Sequence, residues 1–288
     1  MSELASIEIR PHGFRRLAKG VMGYLPAAVG LVVLGLIILA SVFAPLIARY
    51  DPRAVTSLLT TPPSGAHWLG TDVVGKDVFS NLVYGGRISL TIGLMTGVGV
   101  FVIGVVVGAT AGYFGGKVDS VLMRITEVFQ VIPSLVLALV AVATLGRGIY
   151  YTALAITLAI WPQVARIVRA QFLSIKTLDM VAAAQTIGFR SGRIIFVEIL
   201  PLALPAIIVQ VTIDIGSAIL IESGLSFLGL GDPNLPSWGT MLQTAQADLS
   251  AWWMSVPPGL AILVVVLAIN FVGDGFNHAV RPSAQENL

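Results

Sequence analysis

Residues 89–113 of the chain are SLTIGLMTGVGVFVIGVVVGATAGY, and this stretch decides the class of fold. It contains no Asp, Glu, Lys or Arg, and a transmembrane α-helix needs about 20 mostly apolar residues. Further apolar segments lie on both sides of it, so we predict an all-α membrane protein with six transmembrane helices. The predicted spans are Leu25 to Ile47, Ser89 to Tyr113, Ile125 to Leu145, Ile149 to Val168, Leu202 to Glu222 and Val256 to Gly273.

The composition of the whole chain favours lipid as its solvent. Of the 288 residues, 56% are hydrophobic and 11% are charged, whereas an average soluble domain has about 25% charged residues. The net charge of +2 is small and the basic residues are scattered, so nucleic acid is not an expected partner. The absence of cysteine excludes disulfides, thiolate catalysis and cysteine-based metal sites. The three histidines lie far apart in the sequence, so we predict no metal site.

The orientation in the membrane is predicted from the basic residues. The first apolar segment is expected to be an uncleaved span, because its core exceeds the roughly 7–15 residues of a signal peptide. Lys and Arg concentrate in cytoplasmic loops. With the N-terminus inside, twelve of the 17 basic residues fall on the cytoplasmic side, among them Arg10, Arg15, Arg16, Lys19 and Arg281. We therefore expect both termini to be cytoplasmic.

The spans divide the chain into a first span with its flanks and a five-helix core. Residues 1–88 form a cytoplasmic N-terminal segment, the first transmembrane helix and an outer loop, and residues 89–281 form the core. Residues 282–288 are a predicted cytoplasmic tail. The predicted loops that need an explanation are the outer loop 48–88, the inner loop of about 169–201 and a second outer loop of about 223–255.

The inner loop begins with a predicted short helix, DMVAAAQTIG, over residues 179–188. Ala has the highest helix propensity, Asp179 can cap or charge the N-terminus, and Gly188 suits a left-handed residue at the C-terminus. The run Ala182 to Ala184 leaves a small surface that another backbone can approach closely, which favours docking of a protein partner. An amphipathic helix lying on the membrane surface explains the same residues, so both interpretations stay open here.

A second short helix is predicted to follow in the inner loop. Ser191 is its expected N-cap. Pro201 is expected to mark the turn into the fifth span. The apolar contacts of this helix are assigned to Ile194, Ile195, Phe196, Ile199 and Leu200.

Ala183-Ala184, Gly188 and Ile199-Leu200-Pro201 resemble the coupling-loop signature of importer permeases of the ATP-binding-cassette class. In that family the signature begins with Glu-Ala-Ala, whereas Ala182 stands in the place of the Glu here. Asp179 is a candidate substitute for the missing polar contact. The resemblance implies that this loop inserts into a groove of the ATPase subunit. The implied coupling residues are Asp179, Ala182, Ala183, Ala184, Gly188, Leu200 and Pro201.

Two outer segments resemble the C-type permease subunits of dipeptide, oligopeptide and nickel importers. The first contains Gly-Thr-Asp and Gly-Lys-Asp, with Lys76 where the family has Arg. The second runs from Glu222 to Gly231 and continues in Pro236-Ser-Trp-Gly239. A scaffold role is favoured over solute contact for most of these residues. The family residues are Gly70, Thr71, Asp72, Gly75, Asp77, Ser226, Gly229, Gly231, Trp238 and Gly239.

The same outer segments also carry physical signals. Gly-Thr-Asp and Gly-Lys-Asp combine turn formers with side chains that bond nearby backbone, which predicts a folded outer loop. Trp238, Trp252 and Trp253 suit the membrane–water interface. Glu222 is expected near the outer end of the fifth span, half in water.

Charged and polar groups inside the predicted spans are candidates for function, because a charge at the centre of a membrane helix costs about 2.5–3.5 kcal/mol on insertion scales. Glu127 lies three residues from Arg124, which predicts a pair on one helix face. Gln210, Asp214 and Ser217 follow the spacing of a single face. This stripe is a candidate for lining the translocation path or for contact with a partner permease, and a proton relay is the alternative.

The chain lacks the signatures of common enzymes. Residues 70–77 have the glycine spacing and the Lys of a phosphate loop, but Asp77 replaces the hydroxyl that would hold magnesium. The metalloprotease and serine-hydrolase signatures are absent as well. We therefore expect a non-catalytic subunit without a cofactor of its own. The resemblance implies that ATP and magnesium are bound by partner ATPase subunits.

The resemblance implies a type I ATP-binding-cassette importer permease fold in a bacterial or archaeal cytoplasmic membrane. The expected partners are a second homologous permease, two cytoplasmic ATP-binding subunits, an extracytoplasmic solute-binding protein and the lipid bilayer. The implied function is ATP-driven import of di- or oligopeptides or similar small solutes, with this chain forming half of the pore. The alternative is a proton-coupled secondary transporter that uses Asp214 and Glu127.

Overall fold

A computed structural model describes residues 21–280 of the chain. The basic N-terminal residues used for the orientation, Arg281 and the tail 282–288 lie outside the described residues. Within residues 21–280 the regular structure is helical, and extended pairing is limited to an isolated bridge between Thr71 and Asp77. The helices are α1 Leu25–Val42, α2 Ala44–Ile47, α3 Val78–Phe114, α4 Gly116–Val131, α5 Ser134–Leu145, α6 Ile149–Ile175, α7 Asp179–Thr186, α8 Ser191–Phe227, α9 Trp238–Ala245 and α10 Trp252–Val280.

The number of helices that can span a membrane agrees with the predicted fold class. In residues 21–280, five helices are long and apolar enough, namely α1, α3, α6, α8 and α10. The bent pair formed by α4 and α5 makes six if the pair is counted as one span. The all-α membrane fold is therefore confirmed, with five or six spans by length and composition.

Helix α3 begins at Val78, well before the predicted start of the second span at Ser89. Asp77 is its N-cap, and the Asp77 side chain accepts a hydrogen bond from the N–H of Ser80 at 2.8 Å. This bond satisfies one of the free N–H groups of the first turn. The predicted outer loop of residues 48–88 is therefore too long and ends at residue 77. The adjacent Gly85 and Gly86 lower helix propensity there, and the early start could not be predicted from propensity alone.

The predicted third span, Ile125 to Leu145, is not one continuous helix. Helix α4 ends at Val131, and α5 leaves at an angle of 89° to it. Pro133 lacks an N–H group and holds Ile132 in an extended conformation, with φ −86° and ψ 127°. The chain therefore bends sharply at this proline.

A row of glycines on α3 allows α3 and α6 to pack in close contact. A Cβ atom added at Gly104 would lie 2.5 Å from Val164 Cγ1, and one added at Gly108 would meet the carbonyl oxygen of Ala165. Gly112 continues the row, one turn further along. The four-residue spacing puts all three glycines on one face, as in the small-residue interfaces of membrane helices. The contacts advance in the same direction along both helices, so α3 and α6 run parallel.

A second glycine face of α3 packs on α8. A Cβ at Gly97 would lie 2.5 Å from Ile215 Cγ1, and one at Gly93 would lie 2.9 Å from Ile219 Cγ1. These contacts advance in opposite directions, so α3 and α8 run antiparallel. Helix α3 is therefore held between α6 and α8, with no room for a methyl group at either contact.

Replacing Gly108 by Ala should destabilise the protein, because the new methyl group meets backbone of α6 and overpacking costs about 1–3 kcal/mol. Gly35 in α1 has no atom within 4 Å of its Cβ position, so Gly35→Ala is the matched control. We expect the control to unfold at an unchanged or slightly higher temperature. The measurement is thermal unfolding of the purified protein in detergent. Equal unfolding temperatures for the two variants would contradict the close packing.

Candidate functional site

Helix α7 lies in the inner loop and ends in a Schellman turn at Gly188. Gly188 has φ +85°, its N–H donates to Gln185 O at 3.0 Å, and the N–H of Phe189 donates to Ala184 O at 3.1 Å. The predicted left-handed glycine is confirmed. No atom lies within 4 Å of its Cβ position among the described residues, so the surface of this turn at Gly188 is open.

The other end of α7 differs in part from the prediction. Leu178 is the N-cap and makes no capping bond, whereas Asp179 is the first helical residue. The predicted capping by Asp179 is therefore wrong, but its negative charge lies in the first turn, where it favours the helix dipole. Ala182 and Ala183 are exposed and Ala184 is buried. The small surface therefore consists of two alanines instead of three.

Pro201 does not mark a turn. Helix α8 runs without a break from Ser191 to Phe227, and its segment Ile194–Ile199 is π-helical. A π-helical turn changes the hydrogen-bond register, which accommodates a residue that has no N–H group. Ser191 is also not the N-cap, because Arg190 holds that position.

The inner loop presents an apolar and basic surface. Ile187 is 72% exposed and Phe196 is 63% exposed, so both side chains leave apolar surface open to a partner. Leu200 is half-buried. The guanidinium of Arg193 lies 4.0 Å from the ring centroid of Phe189. Exposed apolar side chains next to cations suit either a protein groove or a membrane surface, and the geometry is compatible with both.

The outer loop contains a tight turn around Asp72. The Oδ1 atom of Asp72 accepts hydrogen bonds from the N–H groups of Val74 at 2.9 Å and Lys76 at 2.8 Å. Gly75 has φ +84°, and its N–H donates to Asp72 O at 3.0 Å. Burial raises the pKa of Asp72 above its ordinary value, although the bond from Lys76 N–H opposes this shift.

Thr71 and Gly70 join this turn to the rest of the outer loop and to the start of α10. Thr71 Oγ1 donates to Leu58 O at 2.6 Å and accepts from the N–H of Thr61 at 2.9 Å. Gly70 has φ +72°, and a Cβ there would lie 2.8 Å from the indole of Trp253. The indole N–H of Trp253 donates to Thr71 O at 3.2 Å. The folded outer loop predicted from its turn formers is present and packs on the start of α10.

A buried histidine–aspartate pair stabilises the junction of the outer loop with α3. His67 Nδ1 lies 2.8 Å from Asp77 Oδ1, and the ring of Tyr50 stacks on His67 at 4.8 Å between centroids. This pair is not predicted from the sequence. The two residues lie ten positions apart in a loop, where no periodic pattern relates them.

The second outer segment folds back over the ends of α3 and α8. Gly229, with φ +85°, follows the end of α8. Gly239 lies in the first turn of α9, so close to α8 that a Cβ added there would lie 2.6 Å from Ser226 Cβ. A Cβ at Gly231 would lie 2.6 Å from Ser226 Oγ. Trp238 is buried, and its indole N–H donates to Leu82 O at 3.0 Å. Trp238 thus packs its ring on α3 and is not exposed, whereas its predicted place at the membrane–water interface stays a prediction.

Glu222 lies at the centre of this outer junction and is 1% exposed. The expectation that it is half in water is wrong. Its carboxylate accepts hydrogen bonds from Ser226 Oγ at 2.7 Å and Ser89 Oγ at 3.0 Å. Ser223 Oγ lies at 3.5 Å from the same group. Hydroxyl groups from α3 and α8 thus replace the water that a carboxylate would otherwise need.

The predicted polar stripe on α8 is joined by a residue of α6. Gln210 Nε2 donates to Asp214 Oδ1 at 2.9 Å and lies 3.4 Å from Gln163 Oε1. Asp214 is buried, and its Oδ2 has no hydrogen-bond partner among the described residues. Ser217 instead donates to Ile213 O in its own helix at 3.2 Å. Gln210 and Asp214 therefore form a cluster with Gln163, and Ser217 lies outside that cluster.

The predicted pair of Arg124 and Glu127 is present, with Arg124 Nη1 at 3.1 Å from Glu127 Oε2. Both side chains are exposed, so this is a surface ion pair of small energetic value. No hydrogen bond joins Glu127 to Asp214 in residues 21–280. In the same residues, no group of three or more His, Cys, Asp or Glu side chains is arranged to hold a metal ion.

Comparisons with known proteins identify the family. Residues 104–286 match the model of the binding-protein-dependent transport system inner membrane component. Residues 26–63 match that of the N-terminal TM domain of oligopeptide transport permease C. The chain is 39% identical over 265 residues to the oligopeptide transport system permease protein OppC of Bacillus subtilis (strain 168), covering 90% of this chain and 86% of that protein. It is also 39% identical over 273 residues to the di/tripeptide transport system permease protein DppC of Pseudomonas aeruginosa (strain UCBPP-PA14), covering 92% and 88%.

A solved structure supports the fold. The chain is similar to a chain of the MetNI methionine ABC transporter in an inward-facing conformation, with a TM-score of 0.59 and 23% identity over 70% of this chain and 98% of that chain. At this identity the likeness concerns the fold, and it confirms the predicted importer permease fold. The longer family match covers the inner loop, α8 and the cluster of Gln163, Gln210 and Asp214. The chain therefore belongs to the binding-protein-dependent transport system inner membrane component family, as a multi-pass permease of the bacterial inner membrane.

Proposed function

We propose that this chain is a permease subunit of an ATP-driven importer of di- or oligopeptides and forms half of its translocation pore. The observation that carries this proposal is the likeness, over about nine-tenths of the chain, to permeases whose names give oligopeptides, dipeptides or di- and tripeptides as their solutes. The same comparisons support an importer permease and not a proton-coupled transporter. The exposed pair of Arg124 and Glu127 gives no support to a proton path either.

The inner loop is the proposed docking element for an ATPase subunit. Its exposed apolar side chains and the open turn at Gly188 fit a protein groove. Helix α8 begins within this loop, at Ser191, and continues to the outer junction at Glu222. At about 1.5 Å per residue, its 37 residues are about 55 Å long. A displacement of the inner loop therefore reaches both the polar cluster at Gln210 and the outer mouth along one helix.

The remaining subunits follow from this role. A second homologous permease completes the pore, two ATP-binding subunits bind ATP and magnesium in the cytoplasm, and an extracytoplasmic binding protein delivers the solute. This chain is a non-catalytic subunit in the proposal. Both of its termini and the inner loop are cytoplasmic, whereas the loop around Asp72 and helix α9 are outside.

The native chain has no cysteine, so single cysteines report the proposed orientation directly. We expect a membrane-impermeant maleimide to label Val74→Cys and Leu249→Cys in intact cells, because both positions are exposed and lie in the outer segments. Gln185→Cys, exposed in α7, should be labelled only after permeabilisation. Labelling of Gln185→Cys in intact cells would contradict the proposed orientation.

A bulky residue at Gly188 should uncouple transport from ATP hydrolysis while the complex still assembles. Gly188→Trp adds bulk on the open side of the turn, Gly188→Ala adds only strain of about 1 kcal/mol, and Gly188→Asn tolerates the left-handed conformation. We expect uptake to fall at least tenfold with Trp and to stay near normal with Asn. The measurement is solute uptake together with ATP hydrolysis in the reconstituted complex. Normal uptake with Gly188→Trp would count against docking at this turn.

Co-purification from the native membrane tests the proposed function as a whole. The tagged chain should bring with it a second permease and polypeptides with phosphate loops, and the reconstituted complex should import trialanine only with ATP. A homo-oligomer of this chain that transports solute without any ATPase would overturn the proposal.

A further inference from the structure

A polar groove lies between α6 and Gln210 of α8, next to the bend that separates α4 from α5. Its volume is about 690 Å³, within the range of about 300–1,000 Å³ typical of small-molecule sites. Exposed polar side chains within membrane-spanning helices face protein or a water-filled path, because contact with lipid is costly. The groove therefore faces a protein partner or a water-filled path. Its polar lining consists of Gln130, Ser134, Gln163, Arg166 and Gln210.

Among the described residues, Arg166 is the one charged side chain that lines this groove. Its Nη1 donates to the neutral Gln130 Oε1 at 2.9 Å, which orients the guanidinium without neutralising it. No carboxylate of residues 21–280 forms a salt bridge with Arg166. Arg169, one turn further along α6, instead makes two hydrogen bonds to Asp119. The two arginines of this helix therefore differ: Arg169 fastens α6 to α4, whereas Arg166 keeps a positive charge available to the groove.

Asp214 fixes which atoms the two glutamines present. A carboxylate accepts hydrogen bonds and donates none, so the Gln210 group 2.9 Å from Asp214 Oδ1 must be the amide nitrogen. The same nitrogen faces Gln163 Oε1 at 3.4 Å. As a result, Gln210 keeps its carbonyl oxygen as an acceptor, and Gln163 keeps its NH₂ group as a donor. Asp214 does not line the groove but holds the side chain of Gln210, so it is a positioning residue for Gln163 and Gln210.

We propose that this groove is a binding subsite for the carboxyl-terminal end of a short peptide. The guanidinium of Arg166 pairs with the terminal α-carboxylate, since its planar fork matches a carboxylate. The NH₂ group of Gln163 and the carbonyl oxygen of Gln210 bond the C=O and N–H of the adjacent peptide unit. This set recognises the main chain and the terminus, so it accepts peptides with different side chains. The inference rests on the proposed function, because it assumes that peptides pass through this permease.

Binding to the assembled importer, without its binding protein and without ATP, tests the subsite. The probes are trialanine and trialanine amide, which lacks the terminal negative charge, and the measurement is isothermal titration calorimetry. We expect the amide to bind the native complex at least tenfold more weakly than trialanine. Arg166→Gln should remove this difference by weakening trialanine alone, and Arg166→Lys should have an intermediate effect because it keeps the charge without the fork. Arg147→Gln removes an arginine between α5 and α6 that does not line the groove, and it should change nothing.

Two further measurements separate the possible failures. If Arg166→Gln does not assemble, Gln163→Leu tests the same groove and should weaken trialanine and its amide by the same several-fold factor. Equal binding of trialanine and its amide to the native complex, or unchanged binding by both variants, overturns the subsite. Uptake of trialanine by the native complex in proteoliposomes is measured in parallel. If trialanine is taken up but trialanine and its amide bind equally well, the subsite alone is contradicted. If there is no ATP-dependent uptake, the proposed function is contradicted.

Discussion

The close approach of α3 to α6 is the constraint on which the rest of the membrane domain depends. Lipid offers no hydrophobic gain for packing two apolar helices, so tight backbone contact has to hold them together. Gly104 and Gly108 leave room for Val164 and Ala165, and that contact fixes the rotation of α6. Because a helix has 3.6 residues per turn, Gln163 and Arg166 then point away from α3 and towards the groove. The row of glycines thus decides which side chains of α6 line the groove.

The hydrogen-bond partners of Glu222, Arg169 and Arg166 differ, and the difference bears on their roles. Glu222 is enclosed by serine hydroxyls of α3 and α8, which satisfies it and fastens the outer junction. Arg169 is paired with Asp119 and fastens α6 to α4. Arg166 has only a neutral partner. A fully paired charge contributes to structure, whereas a charge that keeps its field is available to a ligand.

The sequence predicted what depends on local pattern and missed what depends on folding back. Apolar runs indicated the spans, and Gly188 indicated the end of α7, because propensity and periodicity act over a few neighbouring residues. The burial of Glu222 and Trp238 depends on α9, which returns to α8 only in the folded chain. The pairing of His67 with Asp77 likewise depends on the fold of a loop. Pro133 and Pro201 show that one residue type has two outcomes: Pro133 ends a helix, whereas a π-helical segment before Pro201 lets α8 continue.

Helix α8 connects the inner loop to the groove and the outer junction. Its close contacts with other helices therefore determine how a movement of the inner loop is transmitted. Ile215 and Ile219 lock its outer half to Gly97 and Gly93 of α3, and α3 is locked to α6 in turn. These three helices therefore form one closely packed unit. Helix α4 is bounded by backbone irregularities, with positive φ angles at Gly115 and Gly116 at its start and the break at Pro133 after it. Arg169 joins α4 to the packed unit through Asp119, and Arg166 joins it through Gln130. Any shift of α4 against that unit therefore has to alter the contact that orients Arg166.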